Sequence, residues 1–262
     1  MSLLEDNLKK QPNWFLYIGI LLFIILAGAA GWSIFNKTKY DTSTLCEQNT
    51  ISEVTVLLID KTGGFSPNQK RLLMRAIKAE IDKLKTGKRL VVYEVDDQEY
   101  YGLSKPIFDK CLPKDGSEVN QLVENKRMIE KSFNEEFLDK LQFITDNFDE
   151  KNIATSSPII ESLSDISVLY NIEPQIKLER VILISDLLQH SPNISFYKSN
   201  VENITIEEVS SSIPDLFGID IQIYWLQRTN NEQRIQNDGL LNWWELAFEA
   251  ASVNNLSIMK VR

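Results

Sequence analysis

An uncharged apolar segment near the N-terminus constrains this 262-residue chain more than any other feature. Residues 14–35 read WFLYIGILLFIILAGAAGWSIF and contain no Asp, Glu, Lys or Arg. About 20 such residues in a helix span a hydrocarbon core of roughly 30 Å. Trp14, Tyr17 and Trp32 lie near the ends of the segment, where aromatic rings favour the membrane interface. The sequence therefore predicts one transmembrane helix over 14–35, preceded by an N-terminal tail over 1–13.

A cleaved signal peptide is the alternative interpretation of this segment. The small residues AGAA at 27–30 are compatible with cleavage, but the apolar run is longer than the usual core of 7–15 residues. We therefore expect an uncleaved, single-pass anchor in the cell membrane. Lys9 and Lys10 precede the span and Lys37 and Lys39 follow it, so the positive-inside rule gives no clear orientation. A short tail before the span and a large domain after it favour an extracytoplasmic domain.

Beyond a polar segment at 36–52, predicted to be a tether, residues 53–262 alternate apolar runs with amphipathic segments. Continuous β-branched and apolar runs are typical of buried parallel strands, and the intervening segments have helical periodicity. The predicted strands cover 54–59, 90–95, 181–185, 219–226 and 256–261. Strand–helix–strand order implies parallel neighbours. The predicted fold is α/β: a doubly wound, mostly parallel, Rossmann-like sheet with helices on both faces.

Residues 96–122 interrupt this alternation. Pro106 and Pro113 lie within them, which predicts an irregular insertion or a disrupted edge element. The next segment predicts one long helix. Its apolar face comprises Ile129, Phe133, Phe137, Leu141, Ile144 and Phe148.

Charge and composition exclude several classes of function. The formal net charge of -9 argues against nucleic acid as a partner, because nucleic-acid binding needs a basic surface. The chain has one histidine, which excludes His-rich zinc sites. Its two cysteines, Cys46 and Cys111, either form one disulfide in an oxidising compartment or remain free thiols in the cytosol. The sequence does not decide between these two states.

Polar side chains follow two of the predicted strands. Asp60 ends the first strand and begins the segment DKTGGFS, and Asp186 follows the strand VILIS. Thr155, Ser156 and Ser157 precede the helix that starts near Pro158. In doubly wound folds, ligands bind beyond the carboxyl ends of the strands. Carboxylate and hydroxyl oxygens in this place suit Mg²⁺.

Over residues 50–262 these features resemble the von Willebrand factor A-type (vWA) domain family. In that family a metal-ion-dependent adhesion site combines an Asp-x-Ser-x-Ser motif, a Thr from a middle loop and an Asp after the fourth strand. The resemblance assigns the metal ligands Asp60, Thr62, Ser66, Thr155, Ser156, Ser157 and Asp186, with one of 155–157 supplying the middle hydroxyl. Gly64 departs from the motif because it lacks the second hydroxyl, and Ser66 lies two residues later. The implied cofactor is Mg²⁺, and the implied partner is a protein whose acidic residue completes the coordination.

Two other interpretations of the same residues stay open. An Asp that ends a strand often caps the next helix or binds turn amides, and the hydroxyls at 155–157 are ordinary helix caps. The sequence DKTG at 60–63 also looks like the phosphorylation motif of P-type ATPases in the haloacid dehalogenase-like superfamily. That resemblance implies an aspartyl-phosphate phosphohydrolase with Asp60 as nucleophile. The chain has no companion GDGxxND-like motif, so a non-enzymatic interaction domain within a larger assembly is the favoured prediction.

Aromatic residues near the C-terminus give two further expectations. Trp244 falls on the apolar face of the last predicted helix, which predicts core packing. Trp243 is expected to be partly exposed and to be the better interface candidate.

His190 has no obvious nucleophile beside it, so a surface or capping role is predicted.

Overall fold

The computed structural model describes residues 14–35, 39–95, 105–116, 125–146, 155–173, 175–229 and 231–262. The chain divides into two compact units, Met1–Lys39 and Tyr40–Arg262.

The first unit contains helix α1, Trp14–Phe35, a run of 22 residues. Its described apolar side chains are exposed, and Phe23 retains 73% of its accessible surface. The side chains at 15, 29, 30 and 33–35 lie outside the described part. Within that part, no helix has the combined length and hydropathy that crossing a membrane requires. The transmembrane anchor over 14–35 therefore stays a prediction.

In the described residues, the second unit is built on one sheet of six strands. They are β1 Ser52–Asp60, β2 Arg89–Val95, β3 Phe108–Cys111, β4 Ile176–Ser185, β5 Asp220–Leu226 and β6 Asn255–Val261. Their order in the sheet is β3-β2-β1-β4-β5-β6, and all neighbours are parallel except β2 and β3, which are antiparallel. The prediction of a mostly parallel α/β sheet is confirmed. The strand order reverses between β1 and β4, which makes their carboxyl ends the switch point of the fold.

Helices cover both faces of the sheet, as predicted. The described helices of this unit are α2 Pro67–Ile81, α3 Lys126–Phe133, α4 Asp139–Asp146, α5 Ile159–Ile172 and α6 Asp238–Ala250. Alternate side chains of β1 point to opposite faces, so Val56 and Leu58 join a core with α5 and α6, whereas Leu57 and Ile59 join a second core with α2 and α4. Short 3₁₀ turns occur at Val201–Asn203, Ser210–Ser212 and Asn231–Arg234.

A π-helical turn, Asn134–Leu138, joins α3 directly to α4. The predicted long helix is therefore present as one continuous segment with a π turn at its centre. Phe137 and Leu141 of its predicted apolar face are buried, with Phe137 packed edge-on against Phe108 of β3. Phe148, assigned to the same face, lies outside the described residues.

A disulfide fastens the start of the second unit to the edge of the sheet. Cys46 and Cys111 are bonded, with Cα atoms 4.9 Å apart. Beside them the amide of Cys111 donates to the carbonyl of Thr44 at 2.7 Å. Cys111 lies on β3, the short edge strand that falls in the interrupted region 96–122. Part of the segment predicted as a tether thus contacts the sheet edge through residues 44–46.

Candidate functional site

Two buried carboxylates lie at the switch point between β1 and β4. Asp60 is the last residue of β1, and Asp186 directly follows Ser185, the last residue of β4. Asp60 is fully buried, and Asp186 retains 3% of its accessible surface. Because the two strands are parallel neighbours, their carboxyl ends bring both side chains to the same edge of the sheet. The predicted convergence of Asp60 and Asp186 at this edge is therefore confirmed.

Hydroxyl groups surround the carboxylate of Asp60. Thr62 donates to Asp60 Oδ1 from its hydroxyl at 2.5 Å and from its amide at 3.0 Å. Ser157 Oγ and Ser185 Oγ donate to Asp60 Oδ2 at 3.2 and 2.7 Å. Both oxygens therefore have partners, as a buried carboxylate requires. A nucleophile needs an accessible oxygen, so these contacts do not favour the aspartyl-phosphate interpretation.

Asp186 is paired with an arginine that follows β5. Arg228 Nε donates to Asp186 Oδ2 at 2.7 Å, and the amide of Leu188 donates to Oδ1 at 2.9 Å. Arg228 Nη1 also donates to the carbonyl of Gly64 at 2.6 Å. Burial and the negative charge of Asp60 raise the pKa of Asp186 to about 6, while the charge of Arg228 opposes this shift. The ion pair therefore offsets part of the unfavourable burial of two neighbouring acids.

The turn that presents Asp186 is held by tryptophans. Leu187 has a φ of 64°, a conformation that non-glycine residues seldom adopt. Trp225 Nε1 donates to the carbonyl of Asp186 at 3.0 Å, and Trp244 Nε1 donates to the carbonyl of Leu187 at 2.9 Å. The Ser185 hydroxyl accepts from the amide of Leu187 at 2.8 Å. These bonds fix the unusual backbone and with it the position of the Asp186 carboxylate.

The predicted site residues are only partly brought together. Thr62 and Ser157 contact Asp60, as the sequence suggests. Ser66 instead caps α2, where its hydroxyl accepts from the amide of Gln69 and the Gln69 side chain accepts from the Ser66 amide. It is therefore not a ligand of this cluster in the structure.

The structure also places three other residues that lie near the switch point in the sequence analysis or beside its motif. Thr155 is exposed and Ser156 is buried, in the same segment as Ser157. Lys61 pairs with Glu94 on β2, away from the Thr62 side chain that bonds Asp60, as the alternation of an extended segment predicts.

The prediction for Trp243 is wrong. It retains only 4% of its accessible surface, and its indole donates to the carbonyl of Ile204 at 2.7 Å. The loop after β4 covers it, because Phe196 packs edge-on against the ring. Trp244 is buried, as predicted.

The residues do not fit Mg²⁺ bound in the way that the vWA resemblance implies. Arg228 donates to an oxygen of Asp186, and Ser66 is engaged at α2. A Cβ added at Gly63 would lie 2.0 Å from Arg228 Nη2 and 2.9 Å from Asp186 Oδ2, so the guanidinium fills the space beside that carboxylate. Two buried side-chain nitrogens of the described residues lack a partner, Arg228 Nη2 and Gln227 Nε2, and both are donors that cannot ligate a cation.

No cluster of three or more His, Cys, Asp or Glu side chains in the described ranges could hold a metal ion.

Sequence reasoning missed three residues at this edge. Ser185 and Arg228 follow from the same rule that found Asp60, since Ser185 ends β4 and Arg228 comes two residues after β5. Tyr197 carries no sequence signal, because it lies in the irregular segment after β4. Its side chain is 46% exposed, its ring lies 5.3 Å from that of His190, and its pKa is raised by partial burial and by the charge of Asp186. His190 itself is half-buried and bonded through Nδ1 to Ser195 at 2.8 Å.

The strand order and the polar residues at this edge of the sheet define the second unit as a doubly wound α/β domain with a charged cluster at its switch point. Neither a family model nor a curated protein matches the chain. A solved von Willebrand factor type A structure from Catenulispora acidiphila matches at 13% identity and a TM-score of 0.37, covering 79% of this chain and 43% of that chain. This chain thus spans less than half of the Catenulispora protein.

Two further solved structures come from Bacteroides. The conserved hypothetical protein BatB from Bacteroides thetaiotaomicron matches at 10% identity and a TM-score of 0.41, covering 80% of this chain and 92% of that chain. An aerotolerance-related membrane protein from Bacteroides fragilis, with multiple mutations to serines, matches at 10% identity and a TM-score of 0.38, with coverage of 79% and 92%. At such low scores the vWA-like interpretation depends on the strand order and the edge residues of this chain.

Proposed function

We propose that this chain is a membrane-anchored, vWA-like protein-interaction module that acts as a component of a larger assembly. The observation that supports this function is the convergence of Asp60, Asp186 and Arg228 at the switch point. Ligands of doubly wound folds bind at this place. The three side chains are buried and are fixed by the strands that end there, so a partner would bind the exposed residues beside them.

Binding is favoured over catalysis because both carboxylates of the cluster already have hydrogen-bond partners. Asp60 is fully buried and accepts bonds on both oxygens, and Asp186 is paired with Arg228. Neither carboxylate presents a free oxygen to a substrate. Magnesium dependence is not part of this proposal, because the residues do not fit the ion.

The accessible surface beside the cluster suits a protein partner. Tyr197 exposes nearly half of its side chain next to the buried charges, and its hydroxyl lies 3.5 Å from Glu232. Tyrosine is enriched in protein interfaces because its ring combines a large apolar area with a polar tip. The surface of this acidic chain, with a net charge of -9, does not favour nucleic acid.

A photo-crosslinking amino acid at Tyr197 tests the proposed function in native membranes. We expect Tyr197 to crosslink to a defined protein, whereas the same substitution at Ile172 gives no such product. Ile172 is a matched control because it is 72% exposed and lies at the end of α5, near the amino end of β4. The readout is the mass and identity of the crosslinked product. Equal products at both positions, or none at Tyr197, would contradict the proposal.

The anchor is proposed from the full sequence of α1, which has no charged residue over Trp14–Phe35. Exposed Leu, Ile and Phe side chains along this helix need an apolar environment, which a bilayer provides. An extracytoplasmic position of the domain is proposed as well. The Cys46–Cys111 disulfide supports it, because such bonds persist in oxidising compartments.

Removal of residues 1–38 is expected to convert the chain from a carbonate-resistant membrane protein into a soluble one. The physical reason is that about 20 apolar residues in a bilayer hold a chain far more strongly than surface charges do. Membrane pellets washed at high pH and probed for the domain give the measurement. A matched variant with two Lys residues in place of Leu21 and Ile24 should also leave the membrane. Retention of both variants in the washed pellet would exclude α1 as the anchor.

A further inference from the structure

We propose that the Arg228 guanidinium, bonded to Asp186, is a built-in cation that permanently accompanies the buried carboxylates of Asp186 and Asp60 and makes this edge independent of divalent metal. This inference goes beyond the proposed function and does not depend on it. It concerns how the switch point is held, not what binds there.

The position of Arg228 is fixed from both its backbone and its side chain. Its amide donates to Gln236 Oε1 at 2.6 Å. Its side chain donates to Asp186 at 2.7 Å and to the carbonyl of Gly64 at 2.6 Å. The residue retains 9% of its accessible surface, so the guanidinium is held within the domain and is not a mobile surface group.

Gly63 shows that the guanidinium occupies the space beside the carboxylate. A Cβ at this position would lie 2.0 Å from Arg228 Nη2, 2.5 Å from Cζ and 2.9 Å from Asp186 Oδ2. The φ of Gly63 is not positive, so residues other than glycine can adopt its backbone conformation. The close approach of Arg228 is therefore what requires glycine here.

The charges explain why a cation is needed here, and the hydrogen bonds explain how one guanidinium accompanies two carboxylates. Two neighbouring buried carboxylates repel unless a cation or a proton accompanies them. Arg228 supplies a charge that cannot be titrated away, because guanidinium stays protonated at all ordinary pH values. A divalent ion beside it would meet a fixed positive charge and would have to displace the bond to Asp186. Arg228 thus balances one of the two negative charges, and the hydroxyls of Thr62, Ser157 and Ser185 bond the other carboxylate, that of Asp60.

Thermal unfolding of the full chain in detergent, with and without magnesium, tests the inference. The wild-type Tm should be the same in EDTA and in about 10 mM MgCl₂. Arg228→Ala should lower the Tm by roughly 6–20 °C, because it leaves a buried carboxylate without its partner. Magnesium should then raise the Tm of this variant by about 3–6 °C for a Kd near 1 mM, since the ion can enter the vacated space.

Two matched controls separate this effect from general destabilisation. Arg89→Ala removes an arginine that binds Asp109 through two bonds, at 2.6 and 2.7 Å, far from the switch point. Its Tm should fall without recovery in magnesium. Adding Asp60→Asn to Arg228→Ala should abolish the recovery, because one of the two carboxylates is gone.

A third measurement uses Gly63. Gly63→Ala should lower the Tm in the wild-type background and lower it less in Arg228→Ala, because the closest clash of the added Cβ is with the guanidinium, while the contact of 2.9 Å with Asp186 Oδ2 remains. Should Arg228→Ala fail to fold, Arg228→Met replaces it and keeps the aliphatic stem. A wild-type Tm that rises by more than about 2 °C in magnesium would overturn the inference. So would a folded Arg228 variant that gains nothing from magnesium.

Discussion

Replacing Trp244 with alanine is expected to lower the free energy of unfolding by about 3–5 kcal/mol. The side chain retains 1% of its accessible surface and packs against Phe248 and Trp243, with ring centroids 5.5 and 5.3 Å away. Its loss leaves a cavity and a buried carbonyl at Leu187 without its indole donor. Because that carbonyl belongs to the turn after Asp186, the substitution should also loosen the charged cluster.

Urea unfolding followed by circular dichroism measures this effect without relying on tryptophan fluorescence. Leu246→Ala is the matched control, since Leu246 lies on the same helix and is 44% exposed. Its effect should stay below about 1 kcal/mol. Trp244→Phe keeps most of the ring and should fall between the two. A Trp244→Ala variant within about 1 kcal/mol of the wild type would show that this packing does not stabilise the domain.

Removal of the disulfide should have an effect of similar size. Cys46 and Cys111 are 65 residues apart in the chain, and closing a loop of that length restricts the unfolded state by about 4 kcal/mol in the chain-entropy model. The double variant Cys46→Ser/Cys111→Ser should therefore show a lower urea midpoint with an unchanged native spectrum. Reduction of the wild-type chain should give the same shift.

The double variant also provides the control for this prediction. Its midpoint should be insensitive to reductant, because it has no bond to break. Maleimide labelling without reductant should leave the wild-type cysteines unmodified if the domain lies in an oxidising compartment. Full labelling in intact cells would contradict the bond and remove its support for the extracytoplasmic position.

The alternation of apolar runs and amphipathic segments was enough to predict the sheet. Strands β1, β2 and β4 contain continuous apolar or β-branched runs with buried side chains, and β5 is buried along most of its length. In β6 the apolar residues alternate with polar ones, and only Val261 is buried. The alternation does not predict β3, because four residues are too short to show a pattern. This antiparallel edge strand is stabilised by its neighbour in the sheet and by a disulfide. The sequence also gives no signal for the π turn, because this turn inserts one residue into a helix without requiring a particular residue type.

The charged cluster was predicted only where it depends on local sequence. Asp60 and Asp186 end apolar strands, so their positions follow from the fold class. Arg228 is 42 residues from Asp186, and its pairing depends on β5 lying next to β4. A motif made of oxygen ligands contains no basic residue, so it gives no signal for Arg228. The prediction that Trp243 is partly exposed is wrong because the loop that covers its ring is irregular and has no periodic pattern from which to predict the contact.

The disulfide also sets how the domain would respond to mechanical load. Cys46 and Cys111 enclose β1, α2, β2 and β3, so a pull between the two chain ends cannot extend these elements while the bond is intact. The length of extended chain that the disulfide keeps from being released is on the order of 210–230 Å for the 65-residue separation. β4 and β5 lie outside this loop and can be extended, so the border between protected and extensible strands runs between β1 and β4. Asp60 lies on the shielded side of that border, and Asp186 and Arg228 lie on the other.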